Sequence, residues 1–323
     1  MKQSSPRISI GMPIYNGERF LAEAIMSILA QTFQDFELII SDNGSTDRTE
    51  EICRAYAAKD HRIRYYRNEQ NLGGAWNFNH VFELATGEYF RWACYDDICA
   101  PELLERCIRV LDRKPSVVLC YPKTVIIDEQ SKFIENYPDD LALSSSTQHE
   151  RYQQFHQRFR NGARCNVLFG MIRRSLLKRT PLIGSYPSSD IILLAELALL
   201  GEYHEIPEHL FFRRDHPQTS RGAYLAFRNR LAWYNPAKKG QLYLTRWKCC
   251  FEHLSAIKRV PMNQDEKVRC YIQMLQWLTW NWQWLVKDLL KAVSWPFLKL
   301  LLNLESNQHR NILTLKNFLK PLR

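Results

Sequence analysis

Residues 89–97 of this 323-residue chain read Tyr-Phe-Arg-Trp-Ala-Cys-Tyr-Asp-Asp, a largely apolar run that ends in two carboxylates. Short apolar runs of this kind are typical of buried strands. Two acids at the end of such a strand are costly to desolvate unless positive charge neutralises them. A divalent cation, Mg²⁺ or Mn²⁺, shared with a diphosphate would supply that charge. The alternative interpretation is that Asp96 and Asp97 lie at the N-terminus of the next helix and stabilise its dipole.

Strands and helices alternate on both sides of this run. The predicted strands cover residues 8–12, 36–40, 63–66, 89–94 and 117–121, and helical patterns such as 18–30 and 101–114 lie between them. This order predicts an α/β fold with a mainly parallel sheet that carries helices on both faces.

Polar residues follow three of these strands. Pro13 and Tyr15 come after the first strand, Asp42 after the second, and Asp96 and Asp97 after the fourth. In parallel sheets, ligands bind outside the carboxyl ends of the strands. The sequence therefore predicts a ligand site where these three loops meet.

The pattern is less regular after residue 122. A polar helix to about residue 160, a strand at 167–172, an apolar helix at 190–200, a strand at 210–216 and helices beyond residue 223 are predicted.

Composition narrows the class of protein. A hydrophobic content of 46% and an aromatic content of 12% exclude a disordered chain. Nine cysteines without a Cys-x-x-Cys pair indicate small buried side chains in a reducing compartment, so we expect a cytoplasmic protein. The sequence contains no run of about 18 uncharged apolar residues, so no transmembrane helix is predicted.

Four motifs occur together in order: residues 10–17, residues 42–47, residues 68–73 and the Asp96-Asp97 pair. In order and spacing they resemble glycosyltransferase family 2, the inverting nucleotide-sugar transferases of GT-A fold. The resemblance is strongest over residues 1–130 and weak beyond 220. One departure is that Tyr95 occupies the first place of the family's Asp-x-Asp motif, which leaves Asp97 as the expected metal ligand.

The resemblance implies a fold, a domain plan and a reaction. The fold would be GT-A, a Rossmann-like arrangement, over residues 1–220, with a nucleotide-binding half at 1–121 and an acceptor half at 122–220. Residues 221–323 would form a basic, Trp-rich helical region. The reaction would move a sugar from a nucleoside-diphosphate sugar to a hydroxyl of a glycan or lipid-linked acceptor, with Mg²⁺ or Mn²⁺ as cofactor, in bacterial cell-surface polysaccharide or envelope glycan synthesis.

The resemblance also assigns contacts with the donor. Asp42 would hydrogen-bond the nucleotide base, although an Asx turn explains it as well. Pro13 and Tyr15 would contact the nucleotide, or serve as core or turn residues. Asp96 would lie beside the donor, and Arg67 would reach base or phosphate unless it is a surface arginine.

The acceptor half supplies the expected base. Asp190 matches the family's catalytic acid at a helix start, where it is alternatively an N-cap, and Glu196 is a weaker candidate. Arg214 and His216, with Arg213, resemble the loop that closes over the diphosphate, or else form a solvated strand end.

The C-terminal region differs in charge from the rest. Residues 221–323 hold 18 Lys and Arg but 5 Asp and Glu, whereas residues 1–220 hold 26 and 29. Its tryptophans suit either the surface of an anionic membrane or packing on the core. The first of these roles would place the protein peripherally on the inner membrane face. No motif supports nucleic-acid binding. The alternative functions are a nucleotidyltransferase and a non-catalytic nucleotide-sugar-binding relative.

Overall fold

The computed structural model describes residues 5–138, 140–162, 165–217 and 227–318, with side chains except at 227–230 and 297–318. The strands are β1 (Ile8–Ile14), β2 (Phe36–Asp42), β3 (Ile63–Arg67), β4 (Tyr89–Trp92), β5 (Ile98–Cys99), β6 (Val117–Ile127), β7 (Phe133–Asn136), β8 (Met171–Arg173) and β9 (Glu202–Arg214). The helices are α1 (Leu21–Leu29), α2 (Thr49–Ala57), α3 (Gly74–Glu83), α4 (Leu103–Arg113), α5 (Gln148–Arg160), α6 (Arg174–Leu177), α7 (Ser189–Leu200), α8 (Phe227–Tyr234), α9 (Thr245–Arg259) and α10 (Gln264–Phe318).

The described strands form one sheet in the order β3-β2-β1-β4-β8-β6-β9-β5, with β7 paired to β6. Strands β1 to β4 are parallel to one another, and β6 is parallel to β9. The short strands β5, β7 and β8 pair antiparallel. The mainly parallel sheet predicted from the sequence is confirmed.

Helices cover both faces of the sheet, as predicted. One core lies under α1 and α4, where the apolar positions of α4 are buried at the helical spacing of Leu104, Cys107, Ile108 and Leu111. The other core lies under α3, α5 and α7. Every residue of β2 is buried, as expected for a central strand of a parallel sheet covered on both sides.

The C-terminal helices α9 and α10 share the second core. Tyr152 of α5 lies 3.0 Å from His253 Nδ1 of α9, and Trp277 of α10 is buried. Trp282 and Trp284 of the same helix remain more than half exposed. Trp277 thus packs on the core, whereas a membrane role for the exposed tryptophans and the boundary at residue 220 stay predictions.

The strand predicted at 167–172 is only partly correct. The structure has a 3₁₀ helix at Cys165–Phe169 and a short strand, β8, at Met171–Arg173. Val167 and Leu168 are buried beneath α7 instead of joining the sheet. Their burial satisfies the apolar pattern without strand pairing, which periodicity alone does not reveal.

No helix in the described part of the chain combines the length and apolar character needed to cross a bilayer.

Candidate active site

The loops that follow β1, β2 and β4 meet at one edge of the sheet. The backbone N–H of Asn16 donates to Ser45 Oγ at 2.9 Å, and Asn16 Oδ1 accepts from the N–H of Thr46 at 2.9 Å. Gly17 lies so close to Tyr95 that a Cβ on the glycine would come within 2.8 Å of the ring. The loops therefore converge as the strand order predicted.

The loop after β2 is shaped by a glycine and an asparagine. Gly44 has a φ of 76°, and a Cβ there would lie 2.9 Å from the backbone of Gln70. Asn43 Oδ1 accepts from Asn68 Nδ2 and from the N–H of Leu72, both at 3.1 Å. The second and third sequence motifs are thus joined in space.

Pro13 and Tyr15 flank the end of β1. Pro13 is half-buried and pairs with Ser41 of β2, which agrees with a strand role. Tyr15 leaves 41% of its surface exposed at the edge of the sheet. The nucleotide contact stays a prediction for both residues, and the exposed ring of Tyr15 leaves room for it.

Asp42, the last residue of β2, is fully buried, and the protein itself binds its carboxylate. Oδ1 accepts from the N–H of Ser45 at 2.8 Å, and Oδ2 accepts from the Tyr65 hydroxyl at 2.9 Å. Arg67 Nε lies 3.5 Å from Oδ2 and 2.9 Å from a Glu50 oxygen. These contacts agree with the turn-forming alternative for Asp42, and they hold Arg67 against the carboxylates. A nucleotide contact stays a prediction for both.

Asp96 and Asp97 follow β4 without capping the next helix, because α4 begins at Leu103 with Glu102 as its N-cap. Asp97 is 7% exposed, and its Oδ1 accepts from the N–H of Arg214 at 3.0 Å. Burial, and then the charge of Asp96, raises the pKa of Asp97 from 3.8 to about 7. Ionisation of Asp97 is therefore opposed by its burial and by the neighbouring carboxylate.

The end of β9 closes over this pair. His216 Nε2 lies 3.0 Å from Asp96 Oδ2, and Arg214 Nε donates to the Asp96 carbonyl at 2.9 Å. The buried Arg214 guanidinium also pairs with Glu23 at 2.6 Å and donates to Ser131 Oγ at 3.0 Å. Because both basic residues are buried, the solvated strand end is ruled out. Arg214 braces the acidic loop, and a diphosphate contact stays a prediction for Arg214 and His216.

The donor atoms here fit a divalent cation. The Cys94 sulfur and one carboxylate oxygen each of Asp96 and Asp97 lie within 4.8 Å of one another. Carboxylate oxygens suit Mg²⁺ and Mn²⁺. A cation bound here would favour the ionised form of Asp97, which its burial and the charge of Asp96 oppose. Chemistry and electrostatics thus agree with the predicted cofactor.

Asp190 is the second residue of α7, whose N-cap is Ser188, so the N-cap alternative does not hold. Ser188 has a positive φ of 69°, which is uncommon for a residue other than glycine. Burial raises the pKa of Asp190, against the opposing hydrogen bonds from Cys165 and from the N–H of Ile191. Its role as base stays a prediction.

The 3₁₀ helix links Asp190 to the acid pair. Cys165 bonds to Asp190, and the next residue, Asn166, accepts from Arg213 Nη1 at 2.8 Å. The charge of Arg213 in turn lowers the pKa of Asp97. Hydrogen bonds and the adjacency of Cys165 and Asn166 thus link the predicted base to Arg213, and Arg213 acts on the predicted metal ligand through its charge.

Glu196 lies elsewhere. It is 1% exposed and forms a two-pronged ion pair with Arg259 at 2.7 and 2.8 Å, which joins α7 to α9. A carboxylate held in this way serves the packing of the two helices.

Two residues near the acids were missed by sequence reasoning. Arg91, 1% exposed, donates to the Phe169 carbonyl at 2.8 Å, and its charge lowers the pKa of Asp97. Its two Nη atoms have no hydrogen-bond partner among the described residues. A charged residue inside an apolar strand was the available signal. Cys94 was counted only as a small apolar side chain.

Comparison with known proteins shows the family to which the chain belongs. Residues 9–180, more than half of the chain, match the sequence model described as Glycosyl transferase family 2. The chain belongs to glycosyltransferase family 2. The match favours a glycosyltransferase over the nucleotidyltransferase alternative.

An uncharacterised glycosyltransferase of Rickettsia typhi is 38% identical over 136 residues, which are 41% of this chain and 41% of that protein. This family 2 chain thus spans about two fifths of that relative's length.

Solved structures share the fold. TarS of S. aureus in complex with UDP-GlcNAc has a TM-score of 0.60 at 16% identity and covers 83% of this chain and 71% of its own. The mannosyltransferase PcManGT of Pyrobaculum calidifontis, in complex with GDP-Man and Mn²⁺, has a TM-score of 0.52 at 17% identity over 94% of this chain and 81% of its own. These likenesses support the GT-A fold.

Proposed function

We propose that this chain is an inverting glycosyltransferase that moves a sugar from a nucleoside-diphosphate sugar to an acceptor hydroxyl. The observation that carries the proposal is the 3₁₀ helix, where Cys165 bonds to Asp190 and Asn166 accepts from Arg213, whose charge lowers the pKa of Asp97. A base and a cation-binding acid must serve the same reacting centre in a direct displacement.

The chemistry follows from the two environments. Burial raises the pKa of Asp190, and a more basic carboxylate accepts a hydroxyl proton more readily as the new glycosidic bond forms. The bound cation would neutralise the charge that develops on the departing diphosphate. Asp97 and Asp96 would hold it, while Arg214 fixes the loop that carries them.

The donor would lie over the edge formed by β1, β2 and β4. The exposed ring of Tyr15 would pack against the base or ribose, and Asp42 and Arg67 would shape the floor beneath it. The neighbours TarS and PcManGT are solved with UDP-GlcNAc and GDP-Man, which supports a nucleotide sugar as the donor class.

A test of the base assignment compares two acids of one helix. Asp190→Asn should lower kcat by roughly 10²-fold or more, the range for loss of a general base, and leave donor affinity nearly unchanged. The control, Glu196→Gln, should lower stability by breaking the pair with Arg259 and leave kcat nearly unchanged. If Asp190→Asn loses donor binding while single-turnover chemistry persists, Asp190 is structural.

The donor and cofactor are open to a direct screen. Thermal unfolding with UDP-sugars and GDP-sugars, with and without Mn²⁺, should show one donor that raises Tm only when the cation is present. A ligand that binds the native state alone raises its stability in this way. A rise with nucleotide sugar that is equal with and without Mn²⁺ would count against metal dependence.

For the acceptor, we propose a bacterial surface polysaccharide or other envelope glycan, with the enzyme held at the inner membrane face. The membrane location is supported by an exposed apolar stripe on α10, formed by Val268, Ile272, Leu275, Trp282 and Leu289. The basic excess of residues 221–323 would favour an anionic surface.

Vesicle sedimentation of the full chain tests this association. Ile272→Glu should reduce binding to anionic vesicles, and the exposed Gln276→Glu of the same helix controls for the added charge. Binding that ignores lipid charge and salt would contradict the electrostatic part. A doubled mass in vesicle-free solution that Ile272→Glu abolishes would assign the stripe to self-association instead.

A further inference from the structure

Cys94 lies beside the two acids of the site, at the point where the chain leaves β4. Its sulfur lies within 4.8 Å of a carboxylate oxygen of Asp96 and of one of Asp97. Of the nine cysteines, only Cys94 and Cys165 are half-buried, and the other seven are buried. Cys94 therefore differs from the buried thiols in both its exposure and its polar neighbours.

We propose that Cys94 is a third ligand of the cation, so that this chain binds its metal through one sulfur and two carboxylates. The inference rests on the proposed function for the location of the cation, and it adds a ligand and a metal preference. When the cation binds, the thiol proton is released to water and the sulfur forms the bond to the metal, because the thiolate is the species that coordinates.

The position of the sulfur supports this role. Asp97 Oδ1 already accepts from the N–H of Arg214, and Asp96 Oδ2 lies at hydrogen-bonding distance from His216 Nε2. Each carboxylate therefore has one oxygen engaged by the protein, which leaves few donor atoms for a cation. A sulfur at the same spot completes a three-ligand cluster from a single loop.

A mixed ligand set has a chemical consequence. Mg²⁺ prefers oxygen ligands and near-octahedral geometry, whereas thiolate favours softer cations such as Zn²⁺ and Cd²⁺. Mn²⁺ lies low in the affinity order of divalent metals. The proposal therefore predicts that the protein prefers Zn²⁺ and Cd²⁺ to Mg²⁺ by more than an all-carboxylate site would.

The test titrates the full chain with Cd²⁺, with and without UDP, and follows the ultraviolet thiolate-to-Cd²⁺ charge-transfer absorption. The first equivalent should produce this band in the native protein and in Cys165→Ser, the control cysteine of matched exposure. Cys94→Ser should lack the band at that equivalent. It should also bind Cd²⁺ and Zn²⁺ at least tenfold more weakly, since even outer partners of metal ligands are worth roughly 10–100-fold.

A second variant keeps the test sharp if the serine protein folds poorly. Cys94→Asp replaces sulfur by oxygen and should shift preference from Cd²⁺ toward Mg²⁺ and Mn²⁺, as measured by competition between the cations. A full-strength band in Cys94→Ser, or a Cd²⁺ to Mg²⁺ preference that Cys94→Asp leaves unchanged, would overturn the proposal.

These outcomes are independent of the transfer reaction. If the band depends on Cys94 but no sugar is transferred, the ligand assignment stands and the proposed function fails. If transfer requires a cation while the band does not depend on Cys94, the proposed function stands and the ligand assignment fails.

Discussion

Asp42 ends β2 and Asp97 lies in the loop after β4 at the same edge of the sheet, yet their carboxylates have different surroundings. Asp42 receives hydrogen bonds from Ser45 and Tyr65 and lies near the guanidinium of Arg67. Asp97 receives the one N–H of Arg214 and lies beside a second carboxylate. Both are more than nine-tenths buried, so the difference lies in their partners.

The comparison separates a completed site from an incomplete one. A buried carboxylate with its hydrogen bonds made adds order to the loop that carries it. A buried carboxylate with too little positive charge costs stability, and structures retain such a group where a ligand completes it. The carboxylate at the Asp42 end of this edge is therefore satisfied by the protein alone, whereas the carboxylate at the Asp97 end is not.

The largest effect should come from Asp97→Asn. Transfer should be abolished, and the Mn²⁺-dependent part of donor binding should disappear, because the diphosphate would lose the cation that neutralises it. Folding of the metal-free protein at pH 8 should be unharmed or improved, since a frustrated charge is removed. Activity assays, Mn²⁺ titration and thermal unfolding measure the three effects. Wild-type turnover with an unchanged metal titration would show that the site is misassigned.

Asp42→Asn should instead have its main effect on stability. It should lower stability by about 1–3 kcal/mol, because buried partners lose a charged acceptor. Urea unfolding measures this loss. Tyr65→Phe is the matched control, since it removes one hydrogen bond and keeps the charge, and it should cost less. Equal stability of Asp42→Asn and the native protein would remove the contrast with Asp97.

The pH dependence should come from Asp97. Its pKa rises from 3.8 to about 7 on folding, so the folded state favours the protonated carboxyl. The stability contributed by this proton is fully present below the unfolded pKa and is lost as pH rises through about 7. The Tm of the metal-free protein should thus fall between about pH 4 and 7 by more than that of Asp97→Asn. Parallel curves for the two proteins would argue against the raised pKa.

The smallest effect on the stability of the metal-free protein should come from Asp96→Asn. It removes a like charge, so the pKa of Asp97 should decrease, and the fall in Tm should be smaller and end at a lower pH. Burial is the larger cause of the shift, and most of it should therefore persist. The same series of Tm measurements decides this, and an unchanged curve would mean that the two acids do not interact.

Much of the fold could be predicted from the chain. Strands and helices alternate regularly through β1, α1, β2 and onward, and β1, β2 and β4 are short buried runs followed by polar loops. The segment at 167–172 failed because burial under α7 and pairing in a sheet require the same apolar residues. Periodicity records burial and does not distinguish its partner.

Less of the candidate site than of the fold could be predicted from the sequence. Asp97 and Asp190 were identified as acids at the starts or ends of elements, which sequence order reveals. Arg91 and Cys94 were not identified as site residues, although they lie in the same run of sequence as Asp97. Their importance depends on distances between side chains that sequence order does not state.

The sequence by itself determined the parallel sheet, the edge where its loops meet and the acids placed there. The order of strands and helices along the chain, and the polarity of the residues that follow each strand, can be read locally. The tertiary structure decided which of those acids is neutralised. Asp42 meets Tyr65 from the neighbouring strand, whereas Asp97 meets Asp96 and an N–H from β9, more than a hundred residues away. The charge balance of a buried group depends on everything packed around it, and packing brings together residues that are distant in the chain.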